Sequence, residues 1–333
     1  MLRTTILLLL TFFATISSAQ VSLASWNIKR LGANQQAKLE LIANVASRFD
    51  FVAIQEGQSE EALEQLRAAV QSLTRERWGV LASHRIGRGS YKEVYAFLWR
   101  ERAIEYVDGA VVYLDRGDVF SREPFSARFR MRATGESFAA ANVHLIYGDD
   151  PDRRHREAMA LAAYWTWLGA TYAGTEPVMF GDFNLQPDHA VWGALKAQAR
   201  PLIKTGKTTV SARAGRFVSL YDNIWVGNKT SLKIGKGMIF NAPHVLGLEH
   251  GRFINEVSDH TPVYVMLGVE RTAAAPLGSA RTHAVAIVAN KNSGIYHLPA
   301  CPGFDSVGER NKVAFNSEDE ARAAGYRKAR NCQ

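Results

Sequence analysis

Cysteine is almost absent: the 333 residues hold two, Cys301 and Cys332, both near the C-terminus. Two thiolates fall short of the four-ligand set of a structural zinc centre. There is no glycine-rich run of the kind that cradles a nucleoside triphosphate or a dinucleotide, which excludes those nucleotide-binding folds. No segment recurs at a fixed period, which excludes a solenoid or propeller. Beyond the first residues, no stretch is long and apolar enough to cross a bilayer.

What remains is ordinary globular composition, 47% hydrophobic and 22% charged, in a chain long enough for one large domain or two smaller ones. Residues 1–19 stand apart: Arg3 gives a positive start, residues 6–16 are mostly apolar, and Ser17-Ser18-Ala19 offers small residues at a cleavage point. That pattern predicts a signal peptide cut after Ala19 and a secreted or periplasmic protein. A membrane anchor is the competing reading, but the apolar core is short for a span. The net charge is +8, of which Arg3 supplies one, and a basic secreted protein suggests a polyanionic partner. In an oxidising compartment Cys301 and Cys332 are expected to pair; the alternative is a zinc site shared with His297.

Apolar patterning predicts strands at residues 21–27, 51–54, 94–99, 103–114, 125–131, 137–145, 177–182, 217–226, 238–240 and 262–267. It predicts helices at 35–49, 59–73, 152–168 and 188–199. Many short strands with few helices suit an α/β sandwich of mixed sheets with helices outside. Residues 268–282 read as a linker. After it, strands at 283–289, 294–298 and 312–315 and a helix from 318 to about 330, with a capping box at Ser317 and Glu320, make a small unit.

The polar residues fall at strand ends. Pro177 to Phe180 runs into Gly181-Asp182-Phe183-Asn184, where extended backbone projects Asp182 and Asn184 to one face and Phe183 to the core. Asn27, Glu56, His144, Asp222 and the pair Asp259-His260 each end or follow an apolar run in the same way. Any one alone reads as a turn, cap or satisfied core residue. Together they are a chemical set. Glu56 and an Asp can hold a hard divalent cation. Two histidines can act as general acid and base, and a carboxylate such as Asp222 can fix a tautomer. Hydrolysis of a phosphodiester needs these parts.

The motifs Ser25-Trp26-Asn27-Ile28, Ile54-Gln55-Glu56, Asn142-Val143-His144, Gly181-Asp182-Phe183-Asn184, Tyr221-Asp222-Asn223-Ile224 and Ser258-Asp259-His260-Thr261-Pro262 occur in an order that resembles the endonuclease/exonuclease/phosphatase superfamily. The stretches from Gly87 to Arg100 and from Ser121 to Pro124 look like the deoxyribonuclease I branch. The resemblance covers residues 21–267 and implies a four-layer α/β/β/α sandwich that cuts double-stranded DNA from its minor groove and phosphate backbone with little sequence specificity. It implies Glu56 as the main Mg²⁺ ligand, with Asn27 and Asp259 beside it and Mn²⁺ as an alternative ion. It pairs His144 with Glu93 and His260 with Asp222, and leaves open which histidine is the base. Asp182 and Asn184 would orient the phosphate or its metal, Arg122 would bind a phosphate, Tyr91 would pack on a sugar, and Arg88 would add a backbone contact.

The chain departs from the animal enzymes. Gln58 replaces an arginine that enters the minor groove, and the loop after Leu114 is short and free of cysteine, so a structural Ca²⁺ requirement is not expected. The run Ile295 to Pro299, Cys301 and Gly325-Tyr326-Arg327 look like small domains appended to secreted bacterial nucleases. Arg322, Arg327, Lys328 and Arg330, read as one helix, are a candidate DNA-backbone contact or a solvated helix end. A monomer without a membrane partner is expected. A phospholipase C-type sphingomyelinase on the same fold, or a catalytically silent DNA-binding protein, are the alternatives.

Overall fold

The computed structural model describes residues 20–148, 150–211, 215–268, 287–298, 301, 303–304, 306–315, 318–329 and 332. The expected leader, the linker beyond Gly268, the start of the strand expected at 283–289, Ser317 of the capping box and Arg330 lie outside the described residues. The chain divides into two compact units, Met1–Arg271 and Thr272–Gln333.

The first half of the larger unit holds β1 (Val21–Leu31), α1 (Gln36–Ala46), β2 (Phe51–Gly57), α2 (Glu60–Thr74), β3 (Trp78–Ala82), β4 (Val94–Arg100), β5 (Ile104–Val112) and β6 (Phe125–Met131). The second half holds β7 (Ser137–His144), α3 (Pro151–Thr171), β8 (Glu176–Asp182), α4 (Gly193–Lys196), β9 (Ala199–Pro201), β10 (Thr209–Ser211), β11 (Arg216–Ser219) and β12 (Asp222–Gly227). After these come β13 (Met238–Ile239), α5 (Ala242–Val245), α6 (His250–Glu256) and β14 (Val263–Leu267). Two six-stranded mixed sheets result, in the orders β13-β14-β1-β2-β4-β3 and β5-β6-β7-β8-β12-β9.

Strand alternation explains the layers. Phe51 and Ala53 of β2 enter the core between the sheets, while Val52 and Ile54 face the core shared with α1, α2 and α6. On the other sheet Phe180 points to the inter-sheet core and Met179 to the layer under α3. Phe51 centres the inter-sheet core, with ring centroids 5.0 Å from Phe129, 5.5 Å from Phe138 and 5.6 Å from Phe180. Aromatic pairs at such spacing favour edge and offset contacts that fix the packing of one sheet on the other. A buried amide pair adds a polar lock at the site end: Gln55 Nε2 donates to Asn142 Oδ1 at 2.7 Å, and Asn142 Nδ2 donates to the Ile54 carbonyl at 2.8 Å. Among the described residues, no helix is long and apolar enough to cross a membrane.

Three expectations need correction. Residues 217–226 are not one strand: β11 pairs with β10 in a small separate sheet, and β12 joins the large one. The break is held by Thr208, whose Oγ1 accepts the N–H groups of Tyr221 and Asp222 at 3.2 Å each. The helix expected over 188–199 is a 3₁₀ turn at Ala190–Trp192 followed by α4, because the chain from Ala199 pairs with Gly227 as β9. In the smaller unit, α7 (Glu318–Ala323) stops where Gly325 takes a left-handed φ of 84°.

The smaller unit's sheet has the outer strands Lys312–Phe315 and Arg327–Lys328 flanking Ile287–Asn290 and Ile295–His297. Arg327 and Lys328 therefore lie on an edge strand, not on the helix. Arg322 and Lys328 both approach Glu318, at 2.9 and 3.8 Å. Cys301 and Cys332 are disulfide-bonded, with Cα atoms 4.8 Å apart.

Candidate active site

Topology brings the polar strand ends together. In the first sheet β1 and β2 run parallel, so Asn27 and Glu56 lie at the same end; β4 and β14 run against them, so Glu93 and His260 precede their strands at that end too. In the second sheet β7 and β8 are parallel and place His144 opposite Asp182. Antiparallel β12 begins there, placing Asp222 opposite Asp182. The close pairing of β7 and β8 requires Gly181, since a Cβ there would stand 2.1 Å from the Val143 carbonyl oxygen. Lys29, Arg30, Glu56 and Asn184 adopt left-handed φ of 47–64°, a costly conformation for side chains with a Cβ, held here by the bulged ends of β1 and β2 and the turn after β8.

These ends surround a cleft of about 550 Å³ lined by Glu56, Tyr91, Arg122, His144, Asp182, Asn184, Asp259 and His260. At its floor are two imidazole–carboxylate pairs. His144 Nδ1 lies 3.0 Å from both oxygens of Glu93, and His260 Nδ1 lies 2.8 Å from Asp222 Oδ2. A carboxylate only accepts, so Nδ1 carries the proton in each pair and Nε2 is the nitrogen presented to the cleft. Both Nε2 atoms approach one oxygen: Asp182 Oδ2 is 3.6 Å from His144 and 3.5 Å from His260.

The charges tune one another. Burial opposes protonation of His260, but Asp222 and Asp182 overcome it and hold the imidazole well above its usual range. Burial and Arg122 lower His144, yet Glu93 and Asp182 leave it raised. Asp182 would be raised by burial; the two histidines and the Asn184 N–H hold it below normal instead. Glu93 likewise falls despite burial, through His144 and Arg122. Asp222, fully enclosed, stays raised by burial even beside His260.

Asp182, Asp222 and His260 bring donor atoms within 4.8 Å of one another. The imidazole of His260 stands between the two carboxylates and uses one nitrogen on each, so this group is a bridged ion pair rather than an open cation site. The donor set that fits a hard divalent ion is Glu56 with Asp259, both facing the cleft. Among the described residues, the ion pair to Glu56 is a loose one, from the 68% exposed Arg30 side chain at 4.0 Å. Asn27 is placed beside them, but with its nitrogen inward: Nδ2 donates to Glu56 Oε1 at 2.9 Å and to Asp182 Oδ2 at 3.2 Å, while Oδ1 accepts the Lys29 N–H. As placed, Asn27 ties two carboxylates together, and its oxygen faces an ion only after an amide turn.

Of the residues expected to hold a polyanion, Arg122 and Tyr91 line the cleft. Arg122 donates to the carbonyls of His144 and Leu145 at 3.1 and 3.0 Å. Tyr91 donates to Glu93 at 3.2 Å, and burial raises its phenol. Arg88 is not in the cleft lining; it pairs with Asp118 at 2.7 Å. Sequence reasoning missed Arg30, whose guanidinium lies 5.0 Å from the Tyr91 ring centroid and lines the cleft. It also missed Tyr147 on the rim, 71% exposed, and Thr208 behind Asp222. Tyr147 had a signal, an aromatic residue just past a strand-end histidine; Thr208 had none.

The fold and these paired histidines fit a phosphodiesterase site, and the chain belongs to the endonuclease/exonuclease/phosphatase family, whose model matches residues 24–260. It falls in the deoxyribonuclease I branch and is a nuclease-type hydrolase. A deoxyribonuclease of Thioalkalivibrio sp. (strain K90mix) is 44% identical over 269 residues, 78% of this chain and 74% of that protein. Human deoxyribonuclease-1 is 27% identical over 276 residues, covering 75% of this chain and 93% of its own length. The crystal structure of an endonuclease/exonuclease/phosphatase from Bacteroides vulgatus shares the fold with a TM-score of 0.57 at 18% identity, over 75% of this chain and 98% of that one.

Proposed function

We propose that the protein is a secreted, divalent-metal-dependent endonuclease that hydrolyses DNA with little sequence preference, acting as a monomer without a membrane partner. The observation that carries this reading is the convergence of His144 and His260, each backed by its own carboxylate, on one oxygen of Asp182 in the cleft. The leader-like residues 1–19 and the Cys301–Cys332 disulfide support an oxidising compartment. The similarity to deoxyribonucleases supports DNA as the polymer.

Mg²⁺ or Mn²⁺ held by Glu56 and Asp259 would supply charge neutralisation and Lewis acidity at the scissile phosphate. The chain's own residues do the rest. Arg122, anchored on two carbonyls beside His144, meets the phosphate with a fixed positive charge. Asn184 donates at 2.9 Å to the same Leu145 carbonyl that accepts from Arg122, tying the two side chains through one backbone group. Glu93 and Asp222 keep the histidines oriented, and one Nε2 takes the proton of the attacking water while the other delivers a proton to the departing oxygen. Phosphate and sugar contacts from Arg122, Arg30 and Tyr91 position a strand without reading bases, which is why low specificity follows.

The test is a plasmid-nicking assay after chelation, with Mg²⁺, Mn²⁺ or Ca²⁺ restored separately and RNA in parallel. Loss of nicking on chelation and recovery with Mg²⁺ or Mn²⁺ is the expected result. Metal-independent cutting, or RNA cut in preference to DNA, would overturn the reading.

A further inference from the structure

Glu157 sits on the inner face of α3, at the head of a stripe continued by Leu161, Tyr164 and Leu168, and is 1% exposed. A carboxylate so placed needs partners. It finds them on two different loops: Oε1 accepts the Ser121 N–H at 2.6 Å, and Oε2 accepts the Ile146 N–H at 2.7 Å. Ser121 immediately precedes Arg122, and Ile146 follows His144 by two positions. The backbone between is spoken for throughout. Arg122 donates to the carbonyls of His144 and Leu145, Asn184 donates to the Leu145 carbonyl, and the Leu145 N–H donates to the Asp182 carbonyl at 3.0 Å.

From this geometry we propose that Glu157 is a positioning residue: one carboxylate fixes the loop bearing Arg122 against the loop that follows His144 at the end of β7. The catalytic meaning of that contact rests on the nuclease reading above, while the contact itself does not. Packing alone does not account for a glutamate here. Ala158, Leu161, Tyr164, Trp165 and Leu168 already bury α3 on its sheet, and an apolar residue at 157 would continue the stripe without the cost of a buried charge. What an apolar residue cannot do is accept two main-chain N–H groups from separate loops. The Glu157 charge also acts with Glu93 to offset the effect of burial on the Arg122 guanidinium.

Three variants test this: Glu157→Gln, which keeps one acceptor and turns an NH₂ group on the other loop; Glu157→Leu, which keeps the packing and loses both acceptors; and Arg122→Ala. Each is assayed at a temperature where circular dichroism shows it folded. Glu157→Gln and Glu157→Leu should lower kcat/KM on plasmid DNA by roughly 10- to 100-fold, as loss of an orienting partner does. Like Arg122→Ala, they should flatten the slope of log KM against log salt by about one phosphate contact. Added to Arg122→Ala, Glu157→Gln should cost no more than about threefold further, because the two changes break one unit. A readout independent of catalysis is hydrogen exchange at the Arg122 Nε–H by ¹⁵N NMR, expected to speed up at least about tenfold in Glu157→Gln. Unchanged exchange, multiplicative losses in the double variant, or wild-type activity in a folded Glu157→Leu would overturn the proposal. Should the wild-type protein leave DNA uncut with metal present, the nuclease reading falls, and the exchange measurement alone decides the role of Glu157.

Discussion

Asp182 Oδ2 stands 3.5 Å from His260 Nε2, and the other flank of the same oxygen meets His144 Nε2 at 3.6 Å. Asp222 and Glu93 do most to raise the two imidazoles, and this one anion adds to the rise of both. Removing that charge while keeping the shape, as in Asp182→Asn, should lower both histidine values. The bell-shaped pH profile of residual activity should then move to lower pH by about one unit, the usual effect of losing an opposite charge at this range. A profile unmoved in pH would show that Asp182 does not govern the histidines.

Each histidine is expected to be indispensable on its own. His144→Ala and His260→Ala should each reduce plasmid cleavage by roughly 10²- to 10⁴-fold, the scale of general acid–base contributions. The double variant should be little worse than either single one, since proton removal and proton delivery act as one step. Either single variant retaining near-wild-type nicking with a folded spectrum would remove that residue from the mechanism.

The Glu93–His144 pair also links stability to pH, and its sign can be worked out. Glu93 lies below its ordinary 4.5, so its contribution is present above that value and fades as pH falls through the lower folded one. His144 lies above its ordinary 6.5, so its contribution is present below that value and fades as pH rises through the folded one. The melting-temperature gap between wild type and Glu93→Gln should therefore be widest between pH 4.5 and 6.5 and narrow on both sides. A gap that stays constant from acid to alkaline pH would contradict the ion pair.

Part of the candidate site was legible because Asn27, Glu56, His144 and Asp182 close apolar runs in two parallel strand pairs, whereas Asp222 and His260 sit where antiparallel strands begin at that same end. Asp182, His144 and Glu56 are found by that rule alone. Glu93 instead precedes its strand, and only the resemblance to known nucleases singled it out. Thr208 and Glu157 act through main-chain N–H groups, which have no sequence signature, although a glutamate at the head of a buried helical stripe is a local inconsistency worth noticing. The break between β11 and β12 was hidden because Phe217 to Val226 is apolar apart from Ser219, Asp222 and Asn223, and the Thr208 hydroxyl that holds the break lies outside the run. The overlong C-terminal helix had the opposite fault: Gly325 was visible, but the basic residues after it kept the helical pattern going on paper.

Arg30 offers the last test, because the structure and the sequence point to different arginines. The sequence lacks the minor-groove arginine at Gln58, and the structure instead places the 68% exposed Arg30 side chain over Tyr91 at the cleft mouth. Arg30→Ala should raise KM for DNA several-fold and reduce the salt slope by about one contact while leaving kcat nearly intact, as loss of a phosphate contact does. Arg88→Ala, whose partner is Asp118 rather than the cleft, should leave both KM and the salt slope close to wild type. Steady-state kinetics at several salt concentrations separate the two. If Arg88→Ala flattens the slope and Arg30→Ala does not, the strand runs over the Gly87–Ser90 loop rather than past β1.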